Sequence, residues 1–330
     1  MTMHDLHDAS PQTASDGFIL VAVLWIIAAL AMLASIFSIY LANTAVFLSL
    51  NDSAIQSEAL VSAALELTAY QVSAPKPAAG SPTPPTQTDD KLPPPTHGEF
   101  NFRLGRANVA VDFVSEAARV DLNTASPQLV ANLFMGLGVP QQQAGEYADR
   151  IDGWITKPRP VSAFASSQNT EEALYRASGR SYSPRGGPFA HFDELSLVID
   201  LPPAIVERAK PFLTIYSGKS QIEVLDAAPE VLAAIPGMTE NMMSALAEAR
   251  RTGAVPESIT QMLNATQGIG TIEAGDTYRV QVHIRYDNGK RQAAEVVILT
   301  ALADKPYRVL YWRDSSDSSS APGDIFQPPR

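Results

Sequence analysis

The 330-residue chain contains no cysteine. That excludes a disulfide scaffold, a thiolate zinc module and a cysteine-nucleophile enzyme. Positive charge is also scarce: 24 Lys and Arg stand against 35 Asp and Glu, for a net charge of −11, and the first basic residue is Lys76. Residues 96–330 alone hold 22 basic and 27 acidic side chains, a balance of −5, which gives no electrostatic reason to approach a phosphate backbone. Catalytic signatures are missing as well. The histidines His4, His7, His97, His191 and His283 are scattered, and there is no His-Glu-x-x-His pair, glycine-flanked serine elbow or phosphate loop. His283 reads as a solvated residue on a polar strand face, and Asp193-Glu194 as the acidic start of a helical turn rather than a general acid and base. The chain is not expected to be an enzyme.

What is present begins with apolar length. No charged side chain occurs from Phe18 to Asn51, and Phe18–Ala42 is almost wholly apolar. Such a stretch exceeds the roughly 20 residues a helix needs to cross a bilayer. It is too long for the apolar region of a cleaved secretory signal, and no Ala-x-Ala site ends it. A soluble core helix would carry a polar stripe that is missing here. Beyond Ala42 apolar residues recur at Val46, Leu50, Ile55, Leu60, Ala64 and Leu67 with no proline, so the spacing predicts one helix of about 55 residues, roughly 80 Å long. Eight prolines in the twenty-one positions 75–95 then make a semi-extended spacer.

After the spacer the period changes from 3.6 to 2. Phe100–Leu104 and Asn108–Val114 alternate as strands. Thr277–Tyr286 does so more cleanly, with Tyr278, Val280, Val282, Ile284 and Tyr286 on one face. Asn288-Gly289 supplies a hairpin turn into Glu295–Thr300, and Tyr307–Trp312 is a last strand. Strands before residue 120 must therefore join strands after residue 276 in one antiparallel sheet. The intervening chain is helical and written twice. Asp121–Leu133 aligns with Glu223–Ile235 at a constant offset of 102, with Thr124 and Asp226 as expected caps and Pro127 and Pro229 in the first helical turns. A glycine break follows each, Gly136-Leu137-Gly138 and Pro236-Gly237, and then another helix, 141–155 or 240–251. A helix-hairpin-helix of this kind can offer backbone N–H groups to phosphate. Here the following helix carries Glu146, Asp149 and Asp152 against Arg150, and Thr239 stands where a second glycine would be wanted, so protein packing is the better reading.

The order of apolar N-terminal helix, strands, Val120-Asp-Leu-Asn-Thr124, Asp149-Arg-Ile-Asp-Gly-Trp-Ile155, Phe192-Asp-Glu-Leu195, Pro211-Phe-Leu-Thr-Ile215 and Ile222–Gly237 resembles general secretion pathway protein K, the large minor pseudopilin of type II secretion. The resemblance implies an α+β protein: a long N-terminal transmembrane helix, a pseudopilin-like α/β body with an antiparallel sheet, and an inserted α-helical domain of helix-hairpin-helix, SAM-like type. The expected organisation is a leader at 1–17, the helix at 18–72 with its membrane part at about 18–42, and a linker at 73–97. The body follows as 98–120 and 214–314, the insertion as 121–213, and a disordered tail as 315–330.

The same resemblance implies cleavage by prepilin peptidase between Gly17 and Phe18, N-methylation of Phe18, and a neutral residue, Ala22, where most pilin-like proteins have glutamate. Residues 1–17 depart from the family pattern in holding Asp5, Asp8 and Asp16 but no basic residue. Calcium is the only cofactor the resemblance admits, and Glu273 and Asp276 beside Gly275 could lend it two oxygens. Implied partners are sibling minor pseudopilins at the pseudopilus tip, the major pseudopilin, prepilin peptidase and inner-membrane lipid, with no nucleic acid. The implied location is the inner membrane, single-pass, with the body in the periplasm. A small-residue set, Ala28, Ala29, Ala31, Ala34, Ser35 and Ser38, would let neighbouring helices approach closely. The competing classes are a membrane-anchored DNA-uptake protein and a minor pilin of a related type IV or competence system.

Overall fold

A computed structural model describes residues 16–73, 94–157, 171–252 and 257–315, without the side chains of 16–19, 42–54 and 315. The expected leader up to residue 15, most of the proline-rich linker (74–93) and the tail from 316 lie outside the described residues. Residues up to Ala59 and those from Leu60 onward form two compact units.

Helix α1 runs Asp16–Ser73, unbroken because no proline interrupts it. Beyond it come β1 (His97–Leu104), β2 (Ala107–Ser115) and the two-residue β3 (Val120–Asp121). The helical region holds α2 (Pro127–Gly136), α3 (Gln141–Ile155), α4 (Glu171–Ala177) and α5 (Pro203–Ala209). Two more short strands follow, β4 (Leu213–Thr214) and β5 (Ile222–Glu223), then α6 (Pro229–Ala234), α7 (Glu240–Thr252) and α8 (Glu257–Leu263). The chain closes with β6 (Gly270–Thr271), β7 (Thr277–Tyr286), β8 (Arg291–Leu299) and β9 (Arg308–Ser315).

The large sheet has the order β1-β2-β7-β8-β9, antiparallel throughout. Chain-distant β2 and β7 pair at its centre, Val111 opposite Val282, as the separation of the strand patterns requires. Strand β8 starts four residues before the expected Glu295. Arg291–Ala294 have little strand propensity of their own, but the turn at Asn288-Gly289, with Gly289 at φ +83°, fixes a register that carries them into the ladder. Strand β9 likewise outruns its pattern, to Ser315.

Two hydrophobic cores result. One face of the sheet (Val109, Val111, Phe113, Val280, Val282, Ile284, Val296, Ile298) packs with Leu60, Val61, Ala64, Leu65 and Val72 of α1. Those α1 positions recur at helical spacing and form one stripe. The other core is helical: Leu129, Leu133 and Phe134 of α2; Ala144, Ala148, Ile151 and Trp154 of α3; Val231 and Leu232 of α6; Met242, Leu246, Ile259 and Leu263 of α7 and α8. It does not stop at residue 213. The second hairpin, placed with the body in the sequence reading, shares this core with the first, because each hairpin leaves an apolar face that only the other covers.

Candidate functional site

The unit up to Ala59 carries the membrane candidate. Leu20–Leu41 is a 22-residue stretch with mean hydropathy 2.7 and none of it buried. At 1.5 Å per residue it spans about 33 Å, close to the roughly 30 Å of a bilayer's hydrocarbon. Leu20, Leu24, Trp25, Leu33 and Phe37 stand out from it, each more than half exposed. Ala28, Ala29, Ala31, Ala34, Ser35 and Ser38 are exposed as well, and Ala22 is half-buried. The Ser35 hydroxyl donates to the Ala31 carbonyl at 2.8 Å, so it can face lipid or a neighbouring helix without leaving a donor unmet. Gly17 and Phe18 sit in the first turn of α1.

In the second unit the repeat is deeper than two helix starts. The caps are not Thr124 and Asp226. Ser126 caps α2, accepting from the Leu129 N–H at 3.3 Å, and Ala228 precedes α6 with no side-chain cap at all. Thr124 instead donates to the Lys219 carbonyl at 2.6 Å. What repeats is a buried acid at the first position of each motif. Asp121 accepts the Asn123 N–H at 2.8 Å and the Gly218 N–H at 2.7 Å; Glu223 accepts the Leu225 N–H at 2.6 Å and the Asp226 N–H at 2.9 Å. Each acid ends a short strand in a parallel pair, β3 with β4 and β5 with β6. Across the pseudo-repeat, Asn132 on α2 donates to the carbonyl of Ala234, its counterpart 102 residues on, at 2.9 Å.

Burial shapes the chemistry of both acids. Asp121 is pushed up by desolvation against the pull of its backbone donors. Glu223, fully buried, is pushed up to about 8 by desolvation and then by the charge of Asp226. Asp226 in turn contacts exposed His97 Nδ1 at 2.8 Å.

A buried ion network joins sheet and helical core. Glu116, 0% exposed in the turn after β2, accepts Arg279 Nε at 2.6 Å and the Thr214 hydroxyl. Arg279 also pairs with Glu295, which receives Arg313 at 3.0 Å. Burial works against the charge on Arg279, but Glu116 and Glu295 together hold its guanidinium above the ordinary value.

The other sequence candidates are dispersed. Glu194 is a bracket, accepting from Arg185 at 2.8 Å, from the Ala190 and His191 N–H groups at 3.3 Å each, and from Trp154 Nε1 at 3.4 Å; Asp193 is exposed beside it. His283 lies half-buried on the polar sheet face, and His4 and His7 lie outside the described residues. Glu273 and Asp276 are exposed on the loop before β7, where the Asp276 carbonyl accepts the Thr300 N–H at 2.8 Å. Among the described residues no group of three acids or histidines is placed to hold a metal ion. Both hairpin glycine turns face protein. Arg208 donates to the Leu137 carbonyl at 2.7 Å, and a Cβ at Gly237 would stand 2.1 Å from the Ala265 carbonyl oxygen.

The architecture is a mixed α/β body after an apolar helix, with twinned hairpins beside an antiparallel sheet. Residues 107–218 match the family described as type II secretion system protein K. The matched span takes in β2, the Glu116 turn and the first hairpin. No curated protein sequence matches the chain. Its fold is similar to a chain in the crystal structure of the GspK–GspI–GspJ complex from the enterotoxigenic Escherichia coli type 2 secretion system, at 15% identity and TM-score 0.56, covering 83% of this chain and 99% of that one.

Proposed function

We propose that this chain is a minor pseudopilin that caps and nucleates the type II pseudopilus for protein export across the outer membrane. The observation that carries the reading is the family match over β2 and the first hairpin, in a chain whose α1 opens with a bilayer-length apolar stretch. The solved relative was crystallised with GspI and GspJ. Equivalent siblings are the proposed partners here, with the major pseudopilin beneath them. In the inner membrane the apolar half of α1 holds the subunit until it packs on neighbouring helices through the Ala28–Ser38 face, and the body works in the periplasm. The role is mechanical, and no catalytic step is assigned to it.

Processing belongs to the same proposal. Prepilin peptidase would cut between Gly17 and Phe18, and Phe18 would then be methylated. Neutral Ala22 suits a subunit placed first, since it has no preceding helix whose amino terminus a buried glutamate would neutralise. The test is intact-mass spectrometry of the membrane-extracted chain, together with its recovery alongside sibling pseudopilins after crosslinking. A chain starting at Phe18 and crosslinked to siblings is expected. A Met1 start in cells with active peptidase would refute the processing step, and absence of siblings would refute the assembly role.

A further inference from the structure

The net charge of −11 conceals one basic surface. The β1–β2 turn at 105–106 and the β7–β8 turn at 287–290 lie side by side, because Ala107 pairs with Tyr286 and the Asp287 N–H donates to the Arg106 carbonyl at 2.9 Å. Together they form one end of the large sheet. Of the eleven residues 103–106 and 285–291, five are cationic (Arg103, Arg106, Arg285, Lys290, Arg291) and one, Asp287, is acidic. All six are exposed except Arg285, which is half-buried.

Strand register concentrates the charge. Arg103 stands opposite Asn108, Asn108 opposite Arg285, and Arg285 opposite Arg291, so three arginines share one row across four strands. Like charges directly opposite one another destabilise an antiparallel pair. The acid at this end is already engaged: both Asp287 oxygens accept from Arg103 Nη2, at 3.1 and 3.0 Å. Asp314, near the end of β9 and opposite Ala294, accepts Trp312 Nε1 at 2.8 Å. Five cations against these two acids leave a surplus of three positive charges. Among them Leu104 stands 51% exposed beside the β1–β2 turn.

We propose that this end of the sheet docks on an anionic phospholipid surface, with its arginines and lysine at the headgroups and Leu104 entering the apolar boundary beneath them. Each cation close to an anionic leaflet adds to the attraction, and an apolar side chain set among them adds burial. Lipid is favoured over nucleic acid on two grounds. The chain carries a bilayer-length apolar stretch, which brings a lipid surface into its company. Leu104 gains burial at a lipid boundary and nothing on a phosphate backbone. The proposal does not rest on the pseudopilin reading.

The experiment uses the full chain in nanodiscs of phosphatidylcholine alone, or of phosphatidylcholine and phosphatidylglycerol in equal parts. Because the chain has no cysteine, Asn288→Cys carries a single nitroxide at the β7–β8 turn, and its collisions with nickel-chelating headgroups report contact with lipid. Contact is expected to rise at least about tenfold with phosphatidylglycerol, the scale of a few surface cations. It should fall back in roughly 0.5 M sodium chloride, where the screening length is under about 5 Å. Arg106→Gln with Lys290→Gln and Arg291→Gln should abolish the rise, and Leu104→Ser should reduce it. Lys305→Gln with Arg308→Gln, at the opposite end of the sheet, should leave it intact. The lipid and salt comparisons need no charge variant to fold. Equal contact in the two lipids, a rise that survives salt, a rise unchanged by the triple substitution, or one lost equally on substituting Lys305 and Arg308 would each overturn the proposal, as would displacement of the lipid by a short DNA duplex.

Discussion

Single side chains set the stability of the second unit through two buried acids of opposite character. Glu116 is buried in an ion pair with Arg279 Nε at 2.6 Å. Replacing Arg279 with methionine strands that charge and should cost about 3–5 kcal/mol. Arg313→Met removes a pair whose arginine is 54% exposed and should cost under about 1 kcal/mol. Chemical denaturation of the two variants checks the contrast, and equal losses would contradict it. Glu223 behaves the other way. Its folded value, about 8, lies above the unfolded carboxylate value near 4.5, so folding favours its protonated form. The stability this confers is complete below the unfolded value and is lost as pH rises through the folded value. Midpoints measured between pH 4 and 9 should fall across that window in the parent, and the fall should be shallower in Glu223→Gln. Neither acid's role was legible in the sequence. Spacing marked Asp121 and Glu223 as equivalent, but the rule that a short polar residue before a helix is its cap pointed to Thr124 and Asp226. The structure prefers an acid that closes its own turn and ends a strand.

At the scale of elements, legibility followed periodicity. The strand Thr277–Tyr286 and the helix starting at Pro127 are found where their patterns placed them, because ten alternating residues or a proline-led apolar helix admit one reading. The two-residue strands β3 to β6 have no room for a period and could not be read. Nor could the shared core of the hairpins, since an apolar face announces that it is covered without saying by what. That core bears on engineering: excising 121–213 would remove α2 from against α6 and expose Val231 and Leu232, so the second hairpin should not survive alone. The last turns of α1 matter in the same way. Leu65 is 1% exposed against the sheet, and Leu65→Ala should cost about 2–5 kcal/mol, whereas Leu67→Ala, at 40% exposed, should be nearly silent. Thermal melts of the two variants separate a stripe that packs from one that does not.

For the whole molecule, the fold class was legible because the order of motifs is itself a long-range signal, running from the apolar helix through two hairpins 102 residues apart. The size of the helical mass was not. Its core residues extend from Ala118 to Leu263, well beyond the insertion expected at 121–213, and on the proposed tip placement this would enlarge the obstacle a stacked neighbour meets. A filament that grows from the membrane adds each subunit beneath the last, and a subunit with bulk on its upper side fits only where nothing lies above it. The direct measurement of this claim is the copy number and position of the chain in sheared pseudopili, by quantitative mass spectrometry against the major pseudopilin and by gold labelling. The tip account predicts about one copy per filament, labelled at one end. Abundant copies at regular intervals along the shaft would contradict it.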